Sequence, residues 1–197
     1  MNKFIPIQNF SVNKQQRRQL KRHRSFVLWF TGLSGAGKST IANYLEKKLF
    51  ESAFHTMVLD GDNVRNGLNN NLGFSDEDRA ENIRRVAEVS KLFVEAGVVV
   101  ITSFISPFKK DREFARSIFG ENEFFEIFID CPFEECRKRD VKGLYAKAQL
   151  GEVKKFTGID SAYEKPIAPD LIVNTSFESI EDCVEKIFNL AKQKAAL

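Results

Sequence analysis

The chain is poor in the residues that mark secreted or metal-stapled proteins. It carries three cysteines, Cys131, Cys136 and Cys183. The number is odd, and neither a CxxC pair nor a histidine cluster accompanies them. That argues against a disulfide framework or a cysteine-built zinc site, and reduced thiols are expected. No apolar run approaches the ~20 residues that a membrane-crossing helix needs. The start, MNKFIPIQNF, has no signal-peptide apolar stretch. The expectation is a soluble cytoplasmic protein with no membrane partner. An excess of one charge is also missing. Thirty Lys and Arg against 27 Asp and Glu leave a net +3, too mild to name a nucleic-acid partner.

What is present is enough to build a packed domain. The chain has 197 residues, 43% of them hydrophobic, a length that buries a sizeable core without staples. Residues 1–24 form a basic N-terminal arm, with the run Lys14–Arg24 at its end. No aromatic residue interleaves those charges, which argues against single-stranded nucleic acid. The arm reads as a solvated helix or flank, with an anion-attracting flank or an oligomer contact as the alternatives. Residues 25–197 form the main domain. Strands are expected at Phe26–Thr31, Thr56–Asp60, Val98–Ser103, Phe125–Asp130 and Leu171–Asn174. Several are unbroken apolar runs, as in parallel strands covered on both faces. Helical stripes lie between them, for example Ile41, Tyr44, Leu45, Leu49 and then Ile83, Val86, Ala87, Phe93. The alternation predicts an α/β layered fold with a central, mainly parallel five-stranded sheet. Residues 141–165 break the rhythm with lysines and three glycines, and a lid is expected there.

The most specific stretch is G-L-S-G-A-G-K-S-T: Gly32, Leu33, Ser34, Gly35, Ala36, Gly37, Lys38, Ser39 and Thr40. It fits the phosphate-loop pattern in full, with a strand before it and an amphipathic helix after it. The glycines let successive N–H groups turn inward into an anion nest, and the helix start adds its positive end. Lys38 would reach the outer phosphates, and the Ser39 hydroxyl would meet Mg²⁺. No N-K-x-D sequence for reading guanine appears, so ATP is the expected nucleotide.

The second strand ends L-D-G-D-N-V-R. Ligands of open α/β sheets bind beyond the carboxyl ends of the strands, which places Asp60 and Asp62 near the phosphate loop. Asp62 is the candidate base for an attacking hydroxyl and Asp60 the candidate magnesium-side carboxylate, although the two roles can be exchanged. Arg65 beside them would compensate an anionic acceptor. Ser75 is placed as an N-cap before Asp76-Glu77-Asp78. Arg79 and Asn82 then share a helix face, a suitable pair for an anion and a polar neighbour. Phe74 precedes the cap and can stack on a flat ring or staple the helix. Ser106 follows the third strand, where it can donate to a phosphate or sulfate, or take the phosphoryl group itself.

Together these stretches resemble the adenylylsulfate kinase (APS kinase) family. The resemblance rests on the phosphate loop, L-D-G-D-N-V-R, L-G-F-S-D-E-D-R-A-E-N-I-R-R, F-I-S-P-F, K-G-L-Y and K-F-T-G-I-D-S-A-Y-E, and covers nearly everything after Arg24. It implies ATP-dependent phosphorylation of the 3′-hydroxyl of adenosine 5′-phosphosulfate (APS), giving PAPS in sulfate assimilation, with Mg²⁺ as cofactor. ATP and APS are the implied partners, and a homodimer is the expected assembly. It further implies that Asp62, Asn63 and Arg65 meet APS, and that Phe74 and Phe156 sandwich its adenine. Arg79 and Asn82 would hold the phosphosulfate end and the sugar side, Ile105 and Ser106 would line the pocket, and Lys142 would come from the lid. Arg137 and Arg139 lie where the base of the lid approaches ATP, and Ser106 matches a serine described in the family as a phosphoserine intermediate. Two departures stand out. Val141 replaces a proline before K-G-L-Y, and Lys155 replaces Asn or Gly before Phe156. Another small P-loop kinase, a catalytically silent binding module, or a nucleic-acid-binding arm are the competing readings.

Overall fold

A computed structural model describes residues 6, 8, 10–152 and 155–197; Val153 and Lys154 of the expected lid and most of the first nine residues lie outside the described residues. The elements run α1 (Lys14–Lys21), β1 (Val27–Thr31), α2 (Lys38–Glu51), β2 (Thr56–Asp60), α3 (Gly61–Asn66), α4 (Asp76–Glu95), β3 (Val99–Ser103), α5 (Lys109–Ser117), β4 (Phe124–Asp130), α6 (Phe133–Arg139), α7 (Leu144–Gln149), β5 (Leu171–Asn174) and α8 (Ile180–Ala195). The five expected strands are all present, three of them with starts shifted by one residue. Every neighbouring pair is parallel, in the order β2-β3-β1-β4-β5.

The central position of β1 explains its composition. All five of its residues are buried, so neither face tolerates a polar side chain other than Thr31. Alternate side chains serve two cores, as strand geometry requires. Phe26, Leu28 and Phe30 pack with Ile41, Leu45 and Leu49 of α2 and Val184 and Ile187 of α8. Val27 and Trp29 pack with Ile83, Val86 and Ala87 of α4. The helix layers on both faces leave only the strand ends open to ligands.

The basic arm is a helix docked on the domain. Asn13 and Gln16 form a reciprocal capping box at its start. Lys14 pairs with Glu95 at 2.9 Å and Glu123 at 2.8 Å. Arg18 reaches Glu123 at 2.6 Å and the Ser25 hydroxyl at 2.9 Å. Burial works to raise the Glu123 pKa, but the hydrogen bonds from Lys14 and Arg18 outweigh it and hold the carboxyl below its usual range. Two of the run's basic side chains, Lys14 and Arg18, are thus neutralised within the molecule.

His23, just after α1, is buried with both ring nitrogens engaged. Nδ1 donates to the Arg24 carbonyl at 2.8 Å, and Nε2 accepts from the His55 N–H at 3.1 Å. Burial lowers its pKa, and the neighbouring His55 and Lys21 add to this against the Arg24 hydrogen bond. The fold therefore favours the neutral ring. Its contribution is complete above the unfolded-state value of about 6.5 and is lost as pH falls from there towards the lower folded-state value. Thermal melting followed from pH 7.5 to 5 should show a falling midpoint, with a shallower slope in His23→Gln.

Candidate active site

The carboxyl ends of β1, β2 and β3 carry the phosphate loop, the Asp60–Asp62 pair and the Ser103–Ser106 turn. Parallel register sets them level, with Ser103 opposite both Asp60 and Phe30. Beyond them opens a cavity of about 630 Å³. Its lining includes Gly35, Lys38, Asp60, Asp62, Arg65, Phe74, Arg79, Asn82, Ile105, Ser106, Lys142 and Phe156, along with Ser34, Gly37, Ser39 and Thr40. Among the residues expected to bind substrates, Asn63 is not part of this lining; it sits in α3 between Asp62 and Arg65. Gly32, Leu33 and Ala36 form the frame of the loop rather than its open face.

Close packing explains two of the glycines. A Cβ on Gly32 would lie 2.5 Å from the Ile129 carbonyl oxygen, and one on Gly35 would lie 2.9 Å from that of Cys136. Gly35 also has a φ of +77°, in the left-handed region that side chains avoid. Behind the loop, Thr175 donates to the Ala36 carbonyl at 3.0 Å. Arg139 donates to the Thr175 carbonyl at 2.7 Å and, more weakly, to that of Gly35 at 3.5 Å. Arg139 is thus a brace of the loop's back, while Arg137 pairs with Glu134 on the surface of α6.

Lys38 is buried and curls back over the loop, donating to the Gly32 and Leu33 carbonyls at 2.9 and 2.7 Å. Its pKa is pushed down to about 8, mainly by burial, with Lys142 adding to the effect and Asp60 and Asp62 opposing it. The Ser39 hydroxyl donates to Asp60 at 2.7 Å and lies 3.1 Å from the Ser103 hydroxyl. The other Asp60 oxygen caps α3 by accepting from the Asp62 N–H at 3.1 Å. Asp60 is held on both sides, whereas the Asp62 side chain stands exposed and pairs across the cleft with Lys142.

The far wall is built on α4. Ser75 caps it by accepting from the Asp78 N–H. Arg65 lies over the Phe74 ring, 4.5 Å from its centre, and donates to the Gly73 carbonyl at 2.8 Å. Phe74 is 62% exposed and Phe156 only 7%; both line the cavity. Arg79 donates to Thr157 at 2.8 Å and to the Lys155 carbonyl, tying α4 to the segment that follows α7. Asn82 is buried. Ser106 is buried in a left-handed backbone conformation, φ +38°, and its hydroxyl accepts from the Trp29 indole at 3.3 Å.

Several supporting residues had no sequence signal strong enough to be picked. Arg112, 3% exposed, donates to Glu126, to the Ser106 carbonyl and to the Glu164 carbonyl at 2.7–2.8 Å. It clamps the Ser106 turn and the segment around Glu164 to the sheet. Tyr145 of α7 is buried and donates to the Ser34 carbonyl at 2.9 Å. Its ring stands edge-on between Phe133 and Phe156, with centres 5.7 and 4.9 Å away. In the sequence Tyr145 is marked only as the last residue of K-G-L-Y, with no role implied for it.

A family model described as adenylylsulphate kinase matches residues 24–174. The chain belongs to the adenylylsulphate kinase family. A probable adenylyl-sulfate kinase of Halalkalibacterium halodurans is 57% identical over 178 residues, 90% of this chain and 88% of the relative. An adenylyl-sulfate kinase of Oceanobacillus iheyensis is 54% identical over 98% of both chains. The Mycobacterium tuberculosis APS kinase, solved with AMPPNP and APS, superposes with a TM-score of 0.82 at 46% identity, covering 86% of this chain and 98% of that one. The expected α/β fold with its parallel five-stranded sheet is the fold of this family. With membership comes the activity: the chain is an ATP-using kinase that converts APS to PAPS, a step of sulfate assimilation. Among the described residues, no helix is long and apolar enough to cross a membrane.

Lys155 is a local misfit in this frame. Its φ is +56°, a conformation that Gly and Asn adopt more readily. Replacing Lys155 by Asn should raise stability by about 1 kcal/mol, a midpoint shift of ~2–4 °C for a chain of this size. Differential scanning calorimetry of the two proteins tests it.

Proposed function

We propose that the cavity holds ATP and APS together, with the 3′-hydroxyl of APS placed in line with the γ-phosphorus. The observation that carries the reading is the meeting of the phosphate loop, Asp62 and the Phe74–Phe156 pair in one cavity. Asp62 takes the proton of the attacking hydroxyl, because its carboxylate is exposed in the cleft with Lys142 as its partner, while that of Asp60 is held by Ser39 and the α3 cap. Arg65, Arg79 and Lys142 balance the negative charge of the acceptor. Phe74 and Phe156 take the two faces of its adenine, with Asn63, Ile105 and Ser106 nearby. Ser106 serves as a donor to the acceptor nucleotide, its hydroxyl oriented by Trp29.

Lys38 leaves the loop carbonyls for the β- and γ-phosphates as they arrive. The oxygen set of Ser39, Asp60 and Ser103 would suit Mg²⁺, a hard cation that prefers oxygen ligands. Among the described residues no cluster of three or more His, Cys, Asp or Glu could hold a metal ion. Held at the Ser39, Asp60 and Ser103 oxygens, Mg²⁺ would neutralise charge on the transferring group. Orientation of the two substrates contributes on the order of 7–11 kcal/mol to lowering the barrier.

ADP release measured with APS, AMP and sugar acceptors, with and without Mg²⁺, tests the reading. APS-dependent, Mg²⁺-dependent ADP formation is expected; turnover of AMP with APS inert would overturn it. The cytoplasmic setting is supported by three buried free cysteines. The homodimer rests on the resemblance alone, and a monomer in sedimentation at working concentration would refute it.

A further inference from the structure

Asn69 lies in the turn after α3 and is fully buried. Its backbone N–H donates to the Val64 carbonyl at 2.9 Å, which fixes the turn. Its side chain sits between Arg85 and Asn82 of α4. Nδ2 donates to Asn82 Oδ1 at 2.9 Å, and Oδ1 accepts a longer bond from Arg85 Nη1 at 3.4 Å. Arg85 is held in turn by Asn71 and Glu81, each at 2.8 Å.

A carboxamide can be turned end for end with little change of shape, so its neighbours must settle its polarity. Arg85 does so here, because a guanidinium only donates. The Asn69 oxygen must face Arg85, so its NH₂ faces Asn82. The Asn82 oxygen must then face Asn69. What Asn82 has left for the cavity is its NH₂ group, which makes no hydrogen bond among the described residues.

We propose that Asn69 and Arg85 are positioning residues that fix Asn82 as a hydrogen-bond donor towards the acceptor nucleotide. The site then selects a nucleotide that presents a lone pair, on a ring nitrogen or a sugar oxygen, at that point. This rests on the reading of Asn82 as a contact of the acceptor.

Asn69→Asp is the sharpest test, since it is nearly isosteric. An ionised carboxylate only accepts. It still satisfies Arg85, but it draws the Asn82 NH₂ towards itself and leaves the Asn82 oxygen facing the substrate's lone pair. The KM for APS should rise about tenfold to a hundredfold, as for a mismatched buried hydrogen bond. The KM for ATP should stay within about twofold and kcat within a few-fold. Arg85→Gln, in a partly exposed side chain, removes the donor-only anchor and should raise the KM for APS about fivefold, again sparing ATP. It gives a second readout should Asn69→Asp fail to fold. Unchanged KM for APS in both variants, or equal losses for ATP and APS, would overturn the proposal. Asn82→Ala separates the two levels. If it raises the KM for APS while the other variants do not, only the polarity relay fails; if it has no effect, the contact itself fails and the proposal with it.

Discussion

Asp62→Asn should lower turnover by about 10²–10⁴-fold, the usual contribution of a positioned general base, while ATP affinity stays within a few-fold. The amide keeps the shape but cannot take the proton of the attacking hydroxyl. The substitution also removes the pairing with Lys142, but that pair is more than half exposed on both sides. Exposed pairs contribute only ~0–1 kcal/mol, too little to account for a loss of this size. Coupled ADP release gives turnover, and titration calorimetry gives ATP affinity. Asp60→Asn supplies the contrast, since its defect should shrink as Mg²⁺ is raised, whereas that of Asp62→Asn should not. Unchanged turnover in Asp62→Asn would remove Asp62 from the role; rescue of Asp62→Asn by Mg²⁺ would exchange the two carboxylates.

Lys38→Met should lower kcat by about 10²–10³-fold, as loss of one charged donor to a transferring group does. It should also abolish a proton signature of the parent enzyme. With its pKa held near 8 by burial, Lys38 is about half neutral at pH 8 when the loop is empty. A polyphosphate beside it favours the charged form. ATP binding at pH 8 should therefore take up roughly half a proton, read from the dependence of binding heat on buffer ionisation enthalpy. The uptake should fade by pH 6.5 and be absent in Lys38→Met. Full uptake in the variant would assign the proton to another group.

The parts of the molecule legible in the sequence are those governed by local rules. β1 and β3 are buried on both faces, so their apolar runs stand out. Ser75 before three acidic residues follows the local pattern of a helix N-cap, and it caps α4 here. The phosphate loop needs glycines at Gly32 and Gly35 because backbone oxygens leave no room for a Cβ there. What escaped depends on partners far along the chain. Ser103 matters because parallel register sets it beside Asp60. Asn69 is one of three consecutive asparagines, and nothing local separates the buried one from its neighbours. Arg112 reads as one more charge on a helix until Glu126 and the Ser106 turn close around it. The basic arm looked free because its acidic partners, Glu95 and Glu123, lie 81 and more than a hundred residues downstream.

The edge-on column of Phe133, Tyr145 and Phe156 joins regions that a diagram would draw apart. One end rests on α6 beside the phosphate loop, the middle residue donates to the Ser34 carbonyl, and the other end lines the cavity. Side chains packed this closely transmit displacement instead of absorbing it. On the proposed reading of the cavity, donor and acceptor seats share this wall, and a substitution within the column that reshapes one should retune the other even where it touches neither ligand.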